Sequence, residues 1–332
     1  MKKILSLILA LATFTFSTIG CVGNKTDITK IRVNEVTHSI FYAPFYVAIE
    51  KGYFLEEKIE IELTNGGGAD KSMTAILSNS ADVGLMGPEA AMYVYLNGKE
   101  NYPKIFAQLT KRDGSFLISR KKEIPFNYNN LVGKEVIAGR KGGVPAMTLE
   151  YLLKNKGLVN GENITLNFDI QFNLTGPAFE GGTGDYCTLF EPTASEFEKA
   201  GKGYVVASVG KDSGEIPYTA FMALSDYITT NPEIIRAFIR AMNKGLEFVK
   251  VATEEELVSA LKPHFPGVSD ESIAISIQRY NEIDAWVDNM AMKEDSFNRL
   301  QTIMKEAGEL NETVPFNDLI ITEYANEIFL KK

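Results

Sequence analysis

Hydrophobic residues along this chain follow two spacings that alternate with each other. Short apolar runs, several with strand-like alternation, are followed by stretches whose apolar residues recur at helical spacing. Alternation of this kind predicts an α/β protein with largely parallel sheets. The predicted strands are residues 31–36, 59–64, 82–86, 104–109, 116–119, 135–138, 166–172, 186–190 and 204–209. The predicted helices between them are residues 43–51, 71–78, 88–96, 145–155 and 192–200.

After residue 217 the pattern becomes helical. Residues 231–233 (Asn-Pro-Glu) supply an N-cap, a proline at the first helical position and an acidic first turn. The helix that they begin carries one apolar stripe, formed by Ile235, Phe238, Ile239, Met242, Leu246 and Val249. Further helices are predicted at residues 270–286 and 293–308, so we expect the last third of the chain to be helical.

The chain begins with the pattern of a secretory signal. Lys2 and Lys3 precede an uncharged, largely apolar run at residues 4–19, and Gly20 and Cys21 follow it. A charged start, an apolar core and a small-residue exit are the three parts of a signal peptide. The run is shorter than the roughly 20 residues that a bilayer span needs. A cysteine at the exit predicts cleavage before it and attachment of lipid to its thiol; an uncleaved N-terminal anchor is the alternative.

This processing would place a lipid-anchored protein outside the cytoplasm. Residues 1–20 are the predicted lipoprotein signal peptide, Cys21 is the predicted lipidation site, and residues 21–30 form a polar tether to the membrane. Residues 17–21 resemble a bacterial lipoprotein box and depart from it at Thr18, where Leu is usual. An extracytoplasmic setting disfavours ATP-driven and nicotinamide-dependent metabolism.

Composition narrows the classes of partner. The chain has 332 residues, which suits two domains or one large one, and it is 45% hydrophobic and 23% charged. Its formal net charge of −9 becomes more negative once the signal is removed, which argues against nucleic acid as a partner. Cys187 is the one cysteine besides Cys21, so the processed chain has no internal disulfide. With only His38 and His264 as histidines, we predict no metal site and no cofactor.

Four turns share one design, in which a proline stands where a helix should begin. The turns are Tyr42-Ala43-Pro44-Phe45, Met86-Gly87-Pro88-Glu89, Gly143-Val144-Pro145-Ala146 and Phe190-Glu191-Pro192-Thr193. The amides that follow such a proline are unpaired and lie at the positive end of the helix dipole, which suits an anionic or carbonyl-bearing ligand. Open α/β folds bind ligands at the carboxyl ends of their strands. We therefore expect the turns to meet at one cleft, the alternative being that each proline only begins a helix.

The candidate ligand-binding residues come from these turns and their neighbours. They are His38, Phe41, Tyr42, Phe45, Gly67, Gly87, Pro88, Glu89, Asp113, Arg140, Gly142, Gly143, Glu191 and Tyr218. The aromatic residues beside the first turn would form cleft walls, although some of them must be core. His38 could donate a hydrogen bond to the ligand or have a structural role. The glycines would let the backbone approach a small ligand.

Two groups of charged residues leave the sign of the ligand's charge open. Glu89, Asp113 and Glu191 could balance a cationic or hydrogen-bond-donating ligand, whereas Arg140, with Lys111 and Arg112, could clamp an anion. The glycine-rich residues 65–72 do not form a phosphate loop, because an aspartate and not a glycine precedes the lysine. No catalytic residue is predicted.

A family resemblance is carried by the first of these turns. Residues 41–54 (FYAPFYVAIEKGYF) resemble the opening motif of extracytoplasmic substrate-binding proteins of the sulfonate, taurine, nitrate and thiamine-pyrimidine-precursor group. Residues 81–89 resemble that family's next strand and turn, and residues 184–192 a later one; the similarity extends over about residues 31–252. The resemblance implies a periplasmic-binding-protein type II fold, in which two α/β lobes are joined by two crossover strands and enclose a ligand cleft.

The resemblance also implies a domain arrangement and a function. Lobe 1 is predicted at residues 31–112 and 220–332, and lobe 2 at residues 113–219. We expect a lipid-anchored solute-binding component of an ABC import system, with a permease and its ATPase as partners. The solute would be a small organic molecule that is sulfonate-like, taurine-like or pyrimidine-precursor-like, captured by lobe closure; Glu89 and the aromatic first turn favour nitrogen in it. The alternatives are a pyrimidine- or menaquinone-pathway enzyme on the same fold and a sensory binding module.

Overall fold

The computed structural model describes residues 28–329. The predicted signal peptide, Cys21 and most of the predicted tether therefore lie outside the described residues. Within residues 28–329, every helix is too short or too polar to cross a membrane.

Strands and helices alternate along most of the described chain. The strands are β1 (Thr29–Glu35), β2 (Ile59–Asn65), β3 (Val83–Met86), β4 (Pro103–Thr110), β5 (Ser115–Ser119), β6 (Glu135–Ile137), β7 (Thr165–Asn167), β8 (Tyr186–Phe190), β9 (Tyr204–Ser208) and β10 (Thr219–Leu224). The α-helices are α1 (Ala43–Glu50), α2 (Tyr53–Glu56), α3 (Ala69–Leu77), α4 (Glu89–Leu96), α5 (Val144–Asn155), α6 (Thr175–Glu180), α7 (Thr193–Lys199), α8 (Val209–Ser213), α9 (Ser225–Thr230), α10 (Pro232–Val251), α11 (Glu254–Leu261), α12 (Asp270–Glu282), α13 (Glu294–Glu306), α14 (Phe316–Leu319) and α15 (Glu323–Phe329).

The strands form two five-stranded sheets, and each sheet is mixed. The first has the order β2-β1-β3-β10-β4, in which β1 is parallel to β2 and β3, whereas β10 is antiparallel to β3 and β4. The second has the order β7-β6-β8-β5-β9, in which β6 is parallel to β7 and β8, whereas β5 is antiparallel to β8 and β9. Four strands of each sheet therefore run in one direction and a single strand, β10 in the first sheet and β5 in the second, runs against them, which confirms the prediction of largely parallel sheets.

The two antiparallel strands, β5 and β10, are those with which the chain enters a sheet after crossing from the other one. Residues 111–114 lead from β4 to β5, and residues 209–218 lead from β9 back to β10. The two crossings lie side by side, because the amide of Ile216 donates to the carbonyl of Lys111 at 2.8 Å. We call the part built on the first sheet lobe 1 and the part built on the second sheet lobe 2. The exact lobe limits at residues 112/113 and 219/220 stay a prediction.

Several predicted elements differ from those observed. Strand β10 lies in the region predicted to be helical; all six of its residues are buried, so its sequence lacks the alternation of a half-buried strand. The strand predicted at residues 166–172 is the three-residue edge strand β7, followed by a 3-10 turn at Phe172–Leu174. The helix predicted at residues 270–286 ends at Glu282, and helix α11 was not predicted.

Helix α1, which begins with the first proline-led turn, is held by the long helix α10. A β-carbon on Gly245 of α10 would lie 2.2 Å from the carbonyl oxygen of Pro44, so the two backbones approach closely because a glycine stands there. Phe45 packs beneath this contact against Phe221 and Phe238, with ring centroids 5.4 and 6.4 Å away. Phe45, a candidate ligand contact, therefore lies in the core of lobe 1. This packing fixes the first turn at the edge of the sheet.

Candidate functional site

A cavity of about 220 Å³ lies between the two lobes, and all four proline-led turns reach it. Tyr42 comes from the first turn, Gly87 and Glu89 from the second, residues 143–145 from the third and Phe190 from the fourth. The start of α3, residues 36–37 and 171–172, and residues 218–219 complete the lining. The turns therefore converge, as the sequence predicts, although they belong to different sheets.

Half of the candidate residues line this cavity. They are Tyr42, Gly67, Gly87, Glu89, Arg140, Gly143 and Tyr218. Their role as ligand contacts stays a prediction. The other half lie behind or beside the lining: His38, Phe41, Phe45, Pro88, Asp113, Gly142 and Glu191.

Glu89 is the most buried charged side chain of the lining, with 2% of its surface exposed. Its Oε1 accepts a hydrogen bond from the amide of Val144, the first residue of α5, at 3.3 Å. Its Oε2 makes no hydrogen bond of normal geometry to the described residues, although the amides of Glu89 and Ala90, at the start of α4, also interact with the carboxyl group. A β-carbon on Gly87 would lie 2.0 Å from that oxygen, so the glycine makes room for the carboxyl group. Burial raises the pKa of Glu89 to about 7, against the amides of Val144, Glu89 and Ala90 and the Arg140 charge, which favour ionisation.

The charged pair at this cavity is much more exposed than Glu89. Arg140 Nε lies 3.8 Å from Asp70 Oδ1, and the two side chains are 40% and 55% exposed. The pair joins lobe 2 to the first turn of α3 in lobe 1. Because water screens both charges, this ion pair contributes little to stability, typically about 0–1 kcal/mol.

Aromatic rings form much of the wall. Tyr42, Phe172, Phe190 and Tyr218 line the cavity. Phe41 lies behind them, with its ring centroid 5.7 Å from those of Tyr42, Phe190 and Tyr218. A β-carbon on Gly114 would lie 2.6 Å from two ring atoms of Phe41. Phe41 therefore supports the wall and is itself fully buried.

Asp113 supports the same wall from behind Tyr218. Its Oδ1 accepts a hydrogen bond from the amide of Ser115 at 2.6 Å. Its Oδ2 and the Tyr218 hydroxyl make no hydrogen bond of normal geometry, but the hydroxyl is close enough to favour the ionised form of Asp113. Burial raises the pKa of Asp113 to about 7, in spite of the Ser115 hydrogen bond. Asp113 is thus a buried carboxyl group in contact with a lining residue.

Glu191 faces away from the cavity into a buried polar cluster. Its Oε1 accepts from Arg279 Nη1 at 2.6 Å, and its Oε2 accepts from the amide and hydroxyl of Ser195 at 2.9 and 2.7 Å. The Ser39 hydroxyl donates to its carbonyl oxygen at 2.5 Å. With both carboxylate oxygens occupied, Glu191 ties the turn after β8 to α12.

His38 is engaged on both ring nitrogens. Nδ1 lies 2.7 Å from Glu35 Oε1, and Nε2 lies 2.7 Å from the carbonyl oxygen of His264. Both neighbours are acceptors, and only a doubly protonated ring donates to both. Burial disfavours the charged ring, but these two acceptors outweigh it and raise the pKa of His38. His38 lines a second cavity of about 290 Å³, which adjoins the first and shares Phe172 and Phe190 with it.

Pro88 and Gly142 position the lining without forming it. Pro88 is the residue before α4, which begins at Glu89. The carbonyl oxygen of Gly142 accepts a hydrogen bond from the Tyr93 hydroxyl of α4 at 2.8 Å, so it joins the lobes. Gly142 has φ +75°, a left-handed conformation that favours glycine.

Sequence reasoning missed several lining residues. Thr37, Gln171 and Phe172 are examples. Phe172 was included in a predicted strand, and no pattern in the sequence indicates that it lies in a turn beside the cavity. Thr37 follows β1 directly, and the rule that sites follow strand ends could have found it.

The described residues were also inspected for metal-binding clusters and reactive thiols. Within residues 28–329, no group of three or more His, Cys, Asp or Glu side chains is arranged to hold a metal ion. Cys187 is fully buried in β8, and burial raises its pKa far above the usual range of a thiol.

The chain was compared with known families and proteins. Residues 40–255 match the family described as NMT1/THI5 like. The chain belongs to this family. A relative named "Putative binding protein YtlA", from Bacillus subtilis (strain 168), is 39% identical to this NMT1/THI5-like protein over 317 residues, which cover 96% of this chain and 95% of the relative.

Solved structures share the fold of this NMT1/THI5-like protein. The periplasmic nitrate-binding protein NrtA from Synechocystis PCC 6803 superposes with a TM-score of 0.75 at 17% identity, covering 92% of this chain and 89% of that one. The alkanesulfonate-binding protein SsuA from Xanthomonas axonopodis pv. citri, bound to MOPS, superposes with a TM-score of 0.71 at 14% identity, covering 88% and 98%. These similarities confirm the predicted periplasmic-binding-protein fold.

Proposed function

We propose that this protein is the solute-binding component of an ABC import system and holds a small organic solute between its lobes. The observation that carries the proposal is the cavity on which four helix starts from both lobes converge. Membership of the NMT1/THI5-like family supports it, as do the binding functions named for the relative and the solved structures.

The proposed mechanism is closure of the lobes around the solute. Contacts that already bridge the cleft include those of Glu89 with Val144, Tyr93 with Gly142, and Asp70 with Arg140. A solute that touches both lobes would add to these contacts only in the closed form, and it would thereby shift the population toward that form. The closed form would then dock on a membrane permease that is driven by an ATPase.

The proposed solute is small, organic and at least partly flat. The aromatic wall formed by Tyr42, Phe172, Phe190 and Tyr218 suits a ring or a short apolar body. Sulfonate-like, taurine-like and pyrimidine-precursor-like molecules are the classes we consider. We propose binding without catalysis: the thiol of Cys187 is buried away from the cavity, and no reaction is needed to explain the site.

We further propose that the protein works outside the cytoplasm as a lipoprotein. Cleavage before Cys21 and acylation of its thiol would anchor it to the membrane beside its permease. Mass spectrometry of the protein from the membrane fraction tests this part, because the wild-type chain should begin at an acylated Cys21, whereas the C21S variant should carry no acyl group and keep its first 20 residues.

Native mass spectrometry of the freshly purified protein tests solute binding. We expect a retained small molecule at a ratio of one per chain. The F172A variant, which removes a wall residue, should lose most of it, whereas L174A, an exposed neighbour two residues on, should keep it. The proposal fails if no solute is retained and no compound in a screen of sulfonates, pyrimidines and amines raises Tm; ligand at 100 times its Kd adds about 2.7 kcal/mol.

A further inference from the structure

We infer that His38 acts as a pH-sensitive clasp, in which a doubly protonated ring fastens the chain after β1 to the segment before α12. The ring lies between two acceptors, Glu35 Oε1 and the carbonyl oxygen of His264, each at 2.7 Å. A neutral imidazole carries one N–H group and can donate to only one of them. Loss of a proton therefore breaks one of the two bonds. We call Glu35, His38 and His264 the His38 clasp.

The titratable groups around the clasp come from three elements. From β1, Glu35 is 1% exposed, and its second carboxylate oxygen accepts from the Tyr46 hydroxyl of α1 at 2.5 Å. That hydroxyl also lies 3.1 Å from His38 Nδ1. His264 belongs to a 3-10 turn after α11, and its Nε2 lies 3.5 Å from Glu50 Oε2 of α1. The carboxylate that contacts His38 directly is thus that of Glu35, and it favours a positive charge on the ring.

The two histidines respond to pH in opposite directions. Burial lowers the pKa of His38, but the Glu35 carboxylate and the His264 carbonyl outweigh it, so the pKa lies above its usual value of 6.5. Burial and the nearby charge of His38 lower the pKa of His264, against the effect of Glu50. Because the pKa of His38 is higher in the folded protein than in the unfolded chain, the clasp contributes its full stability below about pH 6.5 and loses it as pH rises through the folded pKa. The clasp is therefore complete in acidic surroundings and loosened in alkaline ones.

The neighbours of His38 in the chain connect the clasp to the cavity between the lobes. Thr37, directly before it, lines both cavities. Ser39, directly after it, donates from its hydroxyl to the carbonyl oxygen of Glu191 at 2.5 Å. Glu191 follows Phe190, which is part of the aromatic wall. A change at His38 therefore reaches lining residues of both lobes.

The other end of the clasp leads into α12, which holds the same turn after β8. The Arg279 guanidinium of α12 donates to the Glu191 carboxylate at 2.6 Å, and the Tyr280 hydroxyl accepts from the Glu191 amide at 2.9 Å. The carbonyl of His264 lies six residues before α12 begins. Both ends of the clasp thus act on the turn that presents Phe190 to the cavity.

NMR titration of the full-length protein in detergent tests the clasp directly, since the chain has only two histidines and the H264Q variant assigns their signals. We expect His38 to titrate above pH 6.5 and His264 below it. Part of the titration of the Phe190 amide should share the midpoint of His38 and should vanish in H38Q. The inference is overturned if His38 titrates at or below 6.5, or if no part of the Phe190 titration follows it.

Urea unfolding at about pH 5.5 and about pH 8.5 measures what the clasp contributes to stability. Each variant is compared with wild-type protein at the same pH, so that the effects of other groups, such as Asp113, cancel. H38Q should lower the urea midpoint more at the acidic pH than at the alkaline pH. H264Q is the matched control and should show the reverse, because a neutral His264 penalises the folded state only in acid.

A loss in H38Q that is equal at both pH values, or a trend that H264Q shares, would contradict the inference. If H38Q does not fold, the titration of His38 in wild-type protein decides alone. This regulation goes beyond the proposed function, which the retained solute tests separately, so either of the two can fail without the other.

Discussion

Asp113 is a residue whose surroundings oppose its charge. It is fully buried, one oxygen accepts from Ser115, and the other lies near the Tyr218 hydroxyl without a hydrogen bond of normal geometry. Burial raises its pKa from 3.8 to about 7. Since the folded protein holds this proton more tightly than the unfolded chain does, stability falls as pH rises from about 4 to about 7. The lost stability amounts to at most about 4 kcal/mol.

We therefore expect the D113N variant to be more stable than wild-type protein at pH 8 and about equally stable at pH 4. The amide keeps an oxygen for the Ser115 N–H and carries no charge to bury. Urea unfolding at both pH values measures the difference, and D169N, at an exposed aspartate, is the control with no expected change. A D113N variant that is less stable than wild-type protein at pH 8 would show that the structure needs the negative charge.

For single residues, the sequence shows which side chains lie next to a turn but not the direction in which each of them points. Glu89 and Glu191 both lie next to a turn proline, and both were expected at the ligand. Only Glu89 lines the cavity, because Glu191 pairs with Arg279, a partner 88 residues away that no local pattern indicates. Likewise, the helical face that Phe45 shares with Ile49 indicates burial, and the structure places Phe45 in the core.

Helices and strands with an amphipathic pattern could be predicted from the sequence, whereas strands buried on both faces could not. Helix α10 was predicted from its stripe and from the Asn-Pro-Glu start, and the structure has it at Pro232–Val251. Strand β10 was missed because a short, largely apolar run is consistent with a helix as well as with a buried strand. Its identity is set by pairing with β3 and β4, which are distant in sequence.

The contact between α1 and α10 gives a prediction at the scale of elements. In G245A the added β-carbon would meet the Pro44 carbonyl oxygen at 2.2 Å and the Ala48 β-carbon at 3.0 Å. The helices would have to separate, which typically costs about 1–3 kcal/mol and exceeds the gain of up to about 1 kcal/mol from replacing glycine within a helix. We expect a lower Tm, measured by calorimetry.

A control from the same helix separates this clash from a general effect of alanine. Val251 is the last residue of α10 and is 82% exposed, so V251A should leave Tm nearly unchanged. If G245A were as stable as wild-type protein, the close approach of α10 to the first turn would be wrong, and with it the account of how Tyr42 is positioned at the cavity.

For the whole molecule, the two-lobe arrangement followed from the family resemblance and not from periodicity. The lobe-to-lobe contacts could not be predicted, since they join residues such as Glu89 and Val144 that begin helices in different lobes and are 55 positions apart. The Tyr93 hydroxyl makes another of these contacts with the Gly142 carbonyl. If the lobes close as proposed, contacts of this kind exist only in the closed form, and they then set the balance between closed and open forms.

Replacing Tyr93 should therefore change the shape of the molecule more than its stability. Y93F removes one hydrogen bond across the cleft, worth about 0.5–1.5 kcal/mol, and shifts the population toward the open form. We expect a larger radius of gyration by small-angle X-ray scattering for the solute-free variant. Tyr95, on the same helix, donates to Asp318 at 2.6 Å within lobe 1, so Y95F loses a similar bond without opening the cleft. An unchanged radius in Y93F, or an equal increase in Y95F, would mean that this bond does not hold the lobes together.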